Sequence, residues 1–300
     1  MKSVIELTGL TKVYPGSKIP AIDDLSLSIK SGEVYGFLGS NGAGKSTTIR
    51  LLLDFIRPTS GSALILSKDS IKDSVEIRSS VGYLAGDVAL PKKVTGRQLF
   101  TYLARLNGGV DTKYLAALEN RFQAELDKKT EELSKGNRQK IGLIQAFMHQ
   151  PKILILDEPT SGLDPLMQDQ FYKTVEEVKA QGTAVFLSSH SFAEVERICD
   201  RIGIIREGKL VHEGPVAKMM EHRLPTWRIV MSKESDAEVL KASKELMVSD
   251  CSGKTIVVRP TNSISPALAV LSKIKIVSMT VEQDELEDEF MSFYDKESTS

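Results

Sequence analysis

The chain has 300 residues but only two cysteines, Cys199 and Cys251. Two isolated thiols exclude a disulfide framework and a cysteine-based zinc cluster, and they favour a reducing compartment. No stretch approaches the roughly 18 apolar residues that a membrane-spanning helix needs, and residues 1–10 lack the apolar core of a signal peptide. If a membrane is involved, another polypeptide is therefore expected to span it.

An excess of either charge sign is also lacking. The 39 Lys and Arg residues nearly balance the 40 Asp and Glu residues, for a formal net charge of -1. Without a global basic field, sequence-independent binding to nucleic acid is disfavoured, and no nucleic-acid partner is expected. The 41% hydrophobic and 26% charged content is typical of a globular chain with a sizeable core.

Hydrophobic periodicity divides the first part of the chain into strands and helices. Alternating patterns predict strands over 4–10 and 21–30, and a buried strand over 33–39 precedes a helical run. Apolar spacings of three and four then predict a helical insert over about 88–150. Strand patterns return after residue 151 and alternate with a helix over 168–181, as in a parallel sheet wrapped by helices.

The last eighty or so residues show a weaker and more polar pattern. We divide the chain into a domain over 1–220 and a small α/β accessory domain over 221–300. Within the second domain, one helix is predicted over 237–246 and an acidic helix over 285–294. The acidic residues around this second helix are interpreted as a solvated helix face.

A glycine-rich segment follows the buried strand and opens the predicted helix. Its residues are Gly39, Ser40, Asn41, Gly42, Ala43, Gly44, Lys45 and Ser46. They match G-x-x-x-x-G-K-[ST], a loop whose N–H groups and helix N-terminus face phosphate oxygens. Lys45 is expected to reach the β- and γ-phosphates, Ser46 to bind Mg²⁺ and Thr47 to contact the α-phosphate. The alternative is a structural glycine turn.

Two adjacent carboxylates end the apolar run at 153–156. Asp157 and Glu158 would lie at the C-terminal end of a buried strand, where ligands of open α/β sheets collect. Asp157 is expected to hold Mg²⁺ through water, and Glu158 to polarise the attacking water as a general base. The alternative is an acidic strand cap.

The motifs, and the order in which they follow one another along residues 1 to about 215, resemble those of the ABC ATPase family. Four further elements carry the resemblance: Leu133-Ser134-Lys135-Gly136-Asn137 resembles the signature LSGGQ, Ser161-Gly162-Leu163-Asp164 the D-loop, His190 the switch histidine, and Tyr14 the adenine-stacking residue. The resemblance implies a P-loop NTPase core with a mixed sheet and a helical insert. It also implies ATP and Mg²⁺ as ligands.

The resemblance further implies a head-to-tail pair of ATP-binding subunits, either identical or different. Ser134 and Gly136 would contact the γ-phosphate bound by the other subunit, Asp164 would link the two sites, and His190 would sense the γ-phosphate. Lys45, Glu158 and His190 would be the catalytic residues. A separate membrane-spanning permease subunit would be the second partner, which places the chain in the cytoplasm, on the inner face of the cell membrane.

Two departures from the family pattern concern this site. Gly86 stands where the family has a glutamine that contacts Mg²⁺, and Asp87 is a hypothetical substitute. Lys135 replaces a signature glycine and adds positive charge near the triphosphate. Apolar residues between 86 and 106 are candidates for docking the permease.

The sequence leaves three functional classes open. The motifs and the C-terminal tail resemble ATPase subunits of ABC-2-type drug, antibiotic or lipid-linked exporters. The alternatives are a motor of an ABC importer and a soluble ABC protein that acts on ribosomes or DNA. The transported substance would not touch this chain, so the sequence does not identify it.

Overall fold

The computed structural model describes residues 2–220 and 224–282, and the chain divides into two compact units, Met1–Val216 and Ala217–Ser300. The division falls close to the predicted boundary at residue 220. Within the described ranges, no helix is both long and apolar enough to cross a bilayer. The acidic helix predicted over 285–294 lies outside the described residues.

Ten strands and seven helices, with one short 3-10 helix at Thr130–Glu132, make up the described part of the first unit. The strands are β1 (Ser3–Lys12), β2 (Ile22–Lys30), β3 (Val34–Leu38), β4 (Ser60–Ile65), β5 (Lys68–Asp69), β6 (Val81–Leu84), β7 (Ile153–Asp157), β8 (Ala184–Ser189), β9 (Arg201–Arg206) and β10 (Lys209–Pro215). The helices are α1 (Lys45–Leu52), α2 (Ser74–Ser79), α3 (Gly96–Leu106), α4 (Thr112–Phe122), α5 (Lys135–Phe147), α6 (Pro165–Ala180) and α7 (Phe192–Ile198).

Two sheets organise this unit. The larger has the strand order β10-β9-β3-β8-β7-β6, in which only the β9–β10 pair is antiparallel. The smaller sheet, β2-β1-β4-β5, is wholly antiparallel. Every residue of β3, β7 and β8 is buried, which explains why these strands are continuous apolar runs without alternation.

The hydrophobic core joins the two sheets. It includes residues of both, among them Ile5, Leu25, Phe37 and Phe186. The rings of Phe37 and Phe186 lie 5.3 Å apart across the adjacent strands β3 and β8. Because β3, β7 and β8 are parallel, their carboxyl ends meet at one edge of the larger sheet, and that edge carries the predicted motifs.

The predicted helical insert contains α3, α4 and α5 between β6 and β7. The Arg121 side chain of α4 forms a paired hydrogen bond with Glu177 of α6, at 2.7 and 2.8 Å, and it also donates to Thr174. The helical run after the phosphate loop extends in the sequence over 46–56, but helix α1 ends at Leu52, and Asp54 adopts a left-handed φ of 57°.

The second unit contains a four-stranded antiparallel sheet and two helices in the described residues 224–282. A further short helix precedes them. Its elements are α8 (Val216–Met220), which crosses the division between the units, β11 (Thr226–Met231), α9 (Asp236–Lys241), β12 (Leu246–Ser252), β13 (Thr255–Pro260), α10 (Ile264–Leu271) and β14 (Ile276–Glu282). The strand order is β12-β13-β11-β14. Trp227, Ile229 and Leu240 contribute to a separate core.

The helix predicted over 237–246 is wrong at its C-terminal end. Helix α9 stops at Lys241, and Leu246 begins strand β12. Leu246 is buried in the core of the second unit and pairs with Pro260 of β13. Tertiary pairing therefore overrides a local apolar spacing that suits a helix equally well.

Candidate functional site

The glycine-rich loop connects the carboxyl end of β3 to the first residue of α1, Lys45. Gly44, just before the helix, has a φ of +117°, a conformation that side chains with a Cβ rarely adopt. A Cβ there would also approach the Ala21 carbonyl oxygen to 2.8 Å. The loop therefore keeps this backbone path only with glycine at position 44.

Lys45 is the buried cation of this loop, with only 6% of its surface exposed. Its Nζ donates to the carbonyl oxygens of Gly39 at 2.6 Å and Ser40 at 3.2 Å, and it lies 3.5 Å from Oε1 of Glu158. The ammonium group is thus held by loop carbonyls beside a carboxylate. Phosphate oxygens are stronger acceptors that this group can reach from the same place.

Asp157 ends strand β7 and is almost fully buried. The Ser46 hydroxyl donates to its Oδ2 at 2.8 Å, and the Ser188 hydroxyl at the end of β8 donates to its Oδ1 at 2.5 Å. Ser46 and Asp157 together offer two adjacent oxygen ligands. This donor set fits Mg²⁺, which prefers oxygen and completes its shell with water and substrate phosphates.

Glu158 follows in a strained backbone conformation, with a φ of 51°. Its N–H donates to the Ser188 carbonyl at 3.2 Å, and its Oε2 lies 2.5 Å from Nδ1 of His190. The backbone turn after β7 aims this carboxylate at the histidine that follows β8. Strain of this kind persists where surrounding contacts impose it, and it clusters at functional sites.

Gln139 is a contributor that the sequence analysis missed. Its buried amide donates to the carbonyl oxygens of Pro159 at 2.9 Å and Glu158 at 3.3 Å, which fixes the turn after β7. Gln139 shares the buried face of α5 with Leu143 and Phe147. The sequence held one signal for this role, because Gln139 is a polar residue at a position where the helical spacing of apolar residues predicts burial.

A cavity of about 510 Å³ opens among these residues. The predicted site residues that line it are Ser40, Asn41, Gly42, Gly44, Lys45, Ser46, Thr47, Asp157, Glu158 and His190. Arg50, Tyr83 and Ser161 also line it. Burial raises the pKa of the Tyr83 hydroxyl, and the nearby Asp157 carboxylate adds to this rise. Motifs separated by more than a hundred residues therefore share one cavity.

Tyr14 lies beside this cavity, not among its lining residues. Its hydroxyl is 3.5 Å from the Thr47 hydroxyl, and the Lys12 ammonium lies 5.4 Å from the centre of its ring. The ring is 36% exposed. A half-exposed aromatic ring next to the phosphate loop suits stacking on a base.

Of the D-loop only Ser161 lines the cavity, whereas Asp164 and the signature residues Ser134, Lys135 and Gly136 are not among the lining residues. Ser134 caps α5 by accepting a hydrogen bond from the Asn137 N–H at 3.2 Å, and Asp164 caps α6 by accepting one from the Met167 N–H at 3.0 Å. The Lys135 Nζ donates to the hydroxyl of the cavity residue Ser161 at 3.2 Å, although Lys135 is not itself a lining residue. Ser134, Gly136 and Asp164 therefore lie outside the cavity lining of their own chain.

The loop after β6 brings Gly86 and Asp87 to the cavity. A Cβ on Gly86 would lie 3.3 Å from Oδ2 of Asp157, which is tighter than an ordinary contact. The glycine therefore leaves free volume next to the oxygen that Ser46 contacts. Asp87 is exposed and lines the same cavity, so its suggested role as a substitute ligand stays a hypothesis.

Comparisons with known proteins agree with this geometry. A family profile described as ABC transporter matches residues 22–161. The bacitracin transport ATP-binding protein BcrA of Bacillus licheniformis is 35% identical over 243 residues, covering 80% of this chain and 79% of BcrA. The uncharacterized ABC transporter ATP-binding protein YhcH of Bacillus subtilis is 34% identical over 304 residues, covering 97% of this chain and 96% of YhcH.

A solved structure gives the same fold. The dimeric structure of MJ0796, a bacterial ABC transporter cassette, aligns with a TM-score of 0.65 at 22% identity, over 71% of this chain and 98% of MJ0796. The predicted α/β fold with a P-loop NTPase core is confirmed. With relatives this similar over most of its length, the chain belongs to the ABC transporter family, as an ATP-binding and ATP-hydrolysing subunit.

Proposed function

We propose that this chain is the motor subunit of an ABC exporter, which hydrolyses ATP with Mg²⁺ and drives a separate membrane-spanning permease from the cytoplasmic face of the cell membrane. The observation that carries the proposal is the convergence of Lys45, Ser46, Asp157, Glu158 and His190 on one cavity. The relative BcrA, by its name, serves bacitracin transport, and this supports the transport role.

The proposed hydrolysis gives a role to Lys45, Glu158 and His190. Lys45 leaves the loop carbonyls and binds the β- and γ-phosphate oxygens, with charge-assisted hydrogen bonds that neutralise the triphosphate. Glu158 accepts a proton from the water that attacks the γ-phosphorus. His190, whose Nδ1 already contacts the Glu158 carboxylate, orients that base and senses the γ-phosphate.

Ser46 and Asp157 would hold the Mg²⁺ ion. Bound there, the ion neutralises charge on the phosphate oxygens. Ser188 keeps the second oxygen of Asp157 occupied, so Oδ2 remains directed at Ser46. The carboxylate is thereby prevented from turning away from the ligand position.

Head-to-tail pairing of two such subunits would give a role to the signature residues, which lie outside the lining of their own cavity. Ser134, Gly136 and Asp164 have no place in the lining of their own cavity. The N-terminus of α5 begins at the exposed residues Ser134 and Lys135, and such a helix N-terminus is suited to an anion from a second subunit. The solved cassette MJ0796 is dimeric by its title, which supports the same assembly here.

Helix α3 offers the surface that we propose for the permease. Phe100 is buried, as a core residue should be, but Tyr102 and Leu106 are 60% and 65% exposed. The exposed apolar side chains of this helix are what a partner helix would cover. This assignment keeps the sequence-based docking prediction for 86–106 and narrows it to one helix.

Removal of Mg²⁺ tests the proposed chemistry directly. The purified chain is expected to release inorganic phosphate from ATP with Mg²⁺ and to lose that activity when EDTA exceeds the metal. Without the ion, no positive charge lies between the Ser46 and Asp157 oxygens and the triphosphate. Phosphate release is measured in both conditions, and excess Mg²⁺ should restore it. Equal rates with and without EDTA would refute the metal site.

Charge on the exposed face of α3 tests the docking surface. Tyr102→Glu is expected to release the chain from the membrane fraction of its host cells and to leave its ATPase rate unchanged, because an added carboxylate opposes burial under a partner. Val75→Glu is the matched control, since Val75 is 80% exposed on a different helix, α2. Retention of Tyr102→Glu in the membrane fraction would contradict docking through α3.

A further inference from the structure

Helix α7 carries a buried carboxyl group that the hydrolysis scheme does not use. Glu194 is only 4% exposed. The Ser189 hydroxyl donates to its Oε2 at 2.6 Å, whereas its Oε1 has no hydrogen-bond partner among the residues that the structure describes. A buried acid is costly unless its oxygens are satisfied, so its retention calls for a physical reason.

On one side, Glu194 contacts the segment that bears the switch histidine. Ser189 directly precedes His190, and its carbonyl accepts a hydrogen bond at 3.3 Å from Gly39 of the phosphate loop. The Ser189 hydroxyl also accepts the Ser191 N–H at 2.9 Å. A carboxylate that fixes this hydroxyl therefore fixes the backbone on both sides of His190.

On its other side, Glu194 meets the turn that bears Glu158. The Thr160 hydroxyl interacts with the Glu194 carboxyl. Thr160 lies between Glu158 and the cavity residue Ser161, and its carbonyl accepts the Leu163 N–H at 3.0 Å. One carboxyl group thus lies between the two segments whose side chains, Glu158 and His190, must stay in contact.

The charges around Glu194 set its proton equilibrium. Burial raises the pKa of Glu194 to about 7, and the negative charge of Glu158 adds to the rise, whereas the Ser189 and Thr160 hydroxyls and His190 lower it. Burial raises the pKa of Tyr172 of α6 and of Cys199, and the nearby Glu194 carboxyl adds to both rises. The carboxyl therefore changes charge near pH 7.

We propose that Glu194 is a positioning residue for ATP hydrolysis, whose ionised carboxylate accepts the Ser189 hydroxyl and attracts the neighbouring Thr160 hydroxyl, and so holds the His190 segment against the Glu158 turn. The inference rests on the proposed function, because it presupposes that Glu158 and His190 act together. Glu194 does not touch the substrate cavity and acts only through these two hydroxyls.

Protonation would weaken this link. An ionised carboxylate only accepts hydrogen bonds, whereas the protonated form must donate one from an oxygen. That proton competes with the Ser189 hydroxyl, which can then turn to the Ser191 carbonyl, 3.3 Å away. The two segments are therefore joined above about pH 7 and loosened below it, as set by the pKa of Glu194.

The test compares kcat for ATP in Glu194→Gln and the unchanged chain from pH 5.5 to 8.5. Glutamine resembles the neutral acid, so the ratio of the two kcat values should be near unity at low pH. Above pH 7.5 it should fall by up to about 100-fold, the size of loss expected when reacting groups lose their alignment. The KM for ATP should not change. Dividing one kcat by the other at each pH cancels the pH dependence of groups that titrate in both proteins.

Ser189→Ala and Glu196→Gln complete the experiment. Ser189→Ala should give the same loss at high pH, and the double variant should lose little more, since both changes break one link. Glu196 is exposed on the same helix, so Glu196→Gln should show no change. A flat ratio at all pH values, or additive losses, would overturn the inference. If the unchanged chain hydrolyses no ATP, the proposed function itself fails.

Discussion

Replacement of Glu158 by glutamine is expected to slow steady-state ATP hydrolysis by about 100-fold or more, the contribution typical of a positioned general base. Glutamine keeps the shape of the side chain but cannot take a proton from the attacking water. Lys45, Ser46 and Asp157 remain in place, so binding of Mg²⁺ and ATP should persist. The nucleotide should then stay bound between two subunits, because the step that opens the pair is blocked.

Two measurements check this prediction, phosphate release and the molar mass in solution with ATP and Mg²⁺. Glu158→Gln should elute as a stable dimer with ATP and as a monomer without it. Glu196→Gln, which changes an exposed carboxylate outside the cavity, should match the unchanged chain in both measurements. A monomeric Glu158→Gln protein at saturating ATP would contradict the head-to-tail arrangement.

Lys45→Ala is expected to weaken ATP binding by about 100-fold, which corresponds to about 2.7 kcal/mol. A hydrogen bond to a charged group contributes about 1.5 to 3 kcal/mol, and this ammonium group is almost fully buried at the loop. Alanine leaves the glycine path and the start of α1 intact. The loss should therefore appear in affinity for the triphosphate, not in the fold.

Equilibrium binding of a fluorescent ATP analogue measures this affinity, and thermal unfolding reports whether the loop is disturbed. Lys45 also donates to the Gly39 and Ser40 carbonyls, so a small fall in melting temperature is acceptable. Lys113→Ala serves as the control, since Lys113 is exposed on helix α4. Full affinity in Lys45→Ala would refute the phosphate site.

Much of the fold could be predicted because its signals are local. The buried parallel strands are unbroken apolar runs, and the helices of the insert repeat apolar residues at helical spacing, so each pattern predicts one kind of element. The end of α9 could not be predicted in this way. Leu246 suits a helix and a strand equally well, and only its pairing with Pro260 across the sheet selects the strand.

The sequence by itself determined the phosphate loop, the adjacent carboxylates and the order of motifs, because each is a contiguous segment whose chemistry follows from its residue types. Only the tertiary structure decided which distant side chains support them. The contacts of Ser188 with Asp157, of Gln139 with the Glu158 carbonyl and of Glu194 with Thr160 each join residues that are far apart in the sequence. They meet because parallel strands end at one edge of a sheet, and no local pattern records which neighbours that edge brings together.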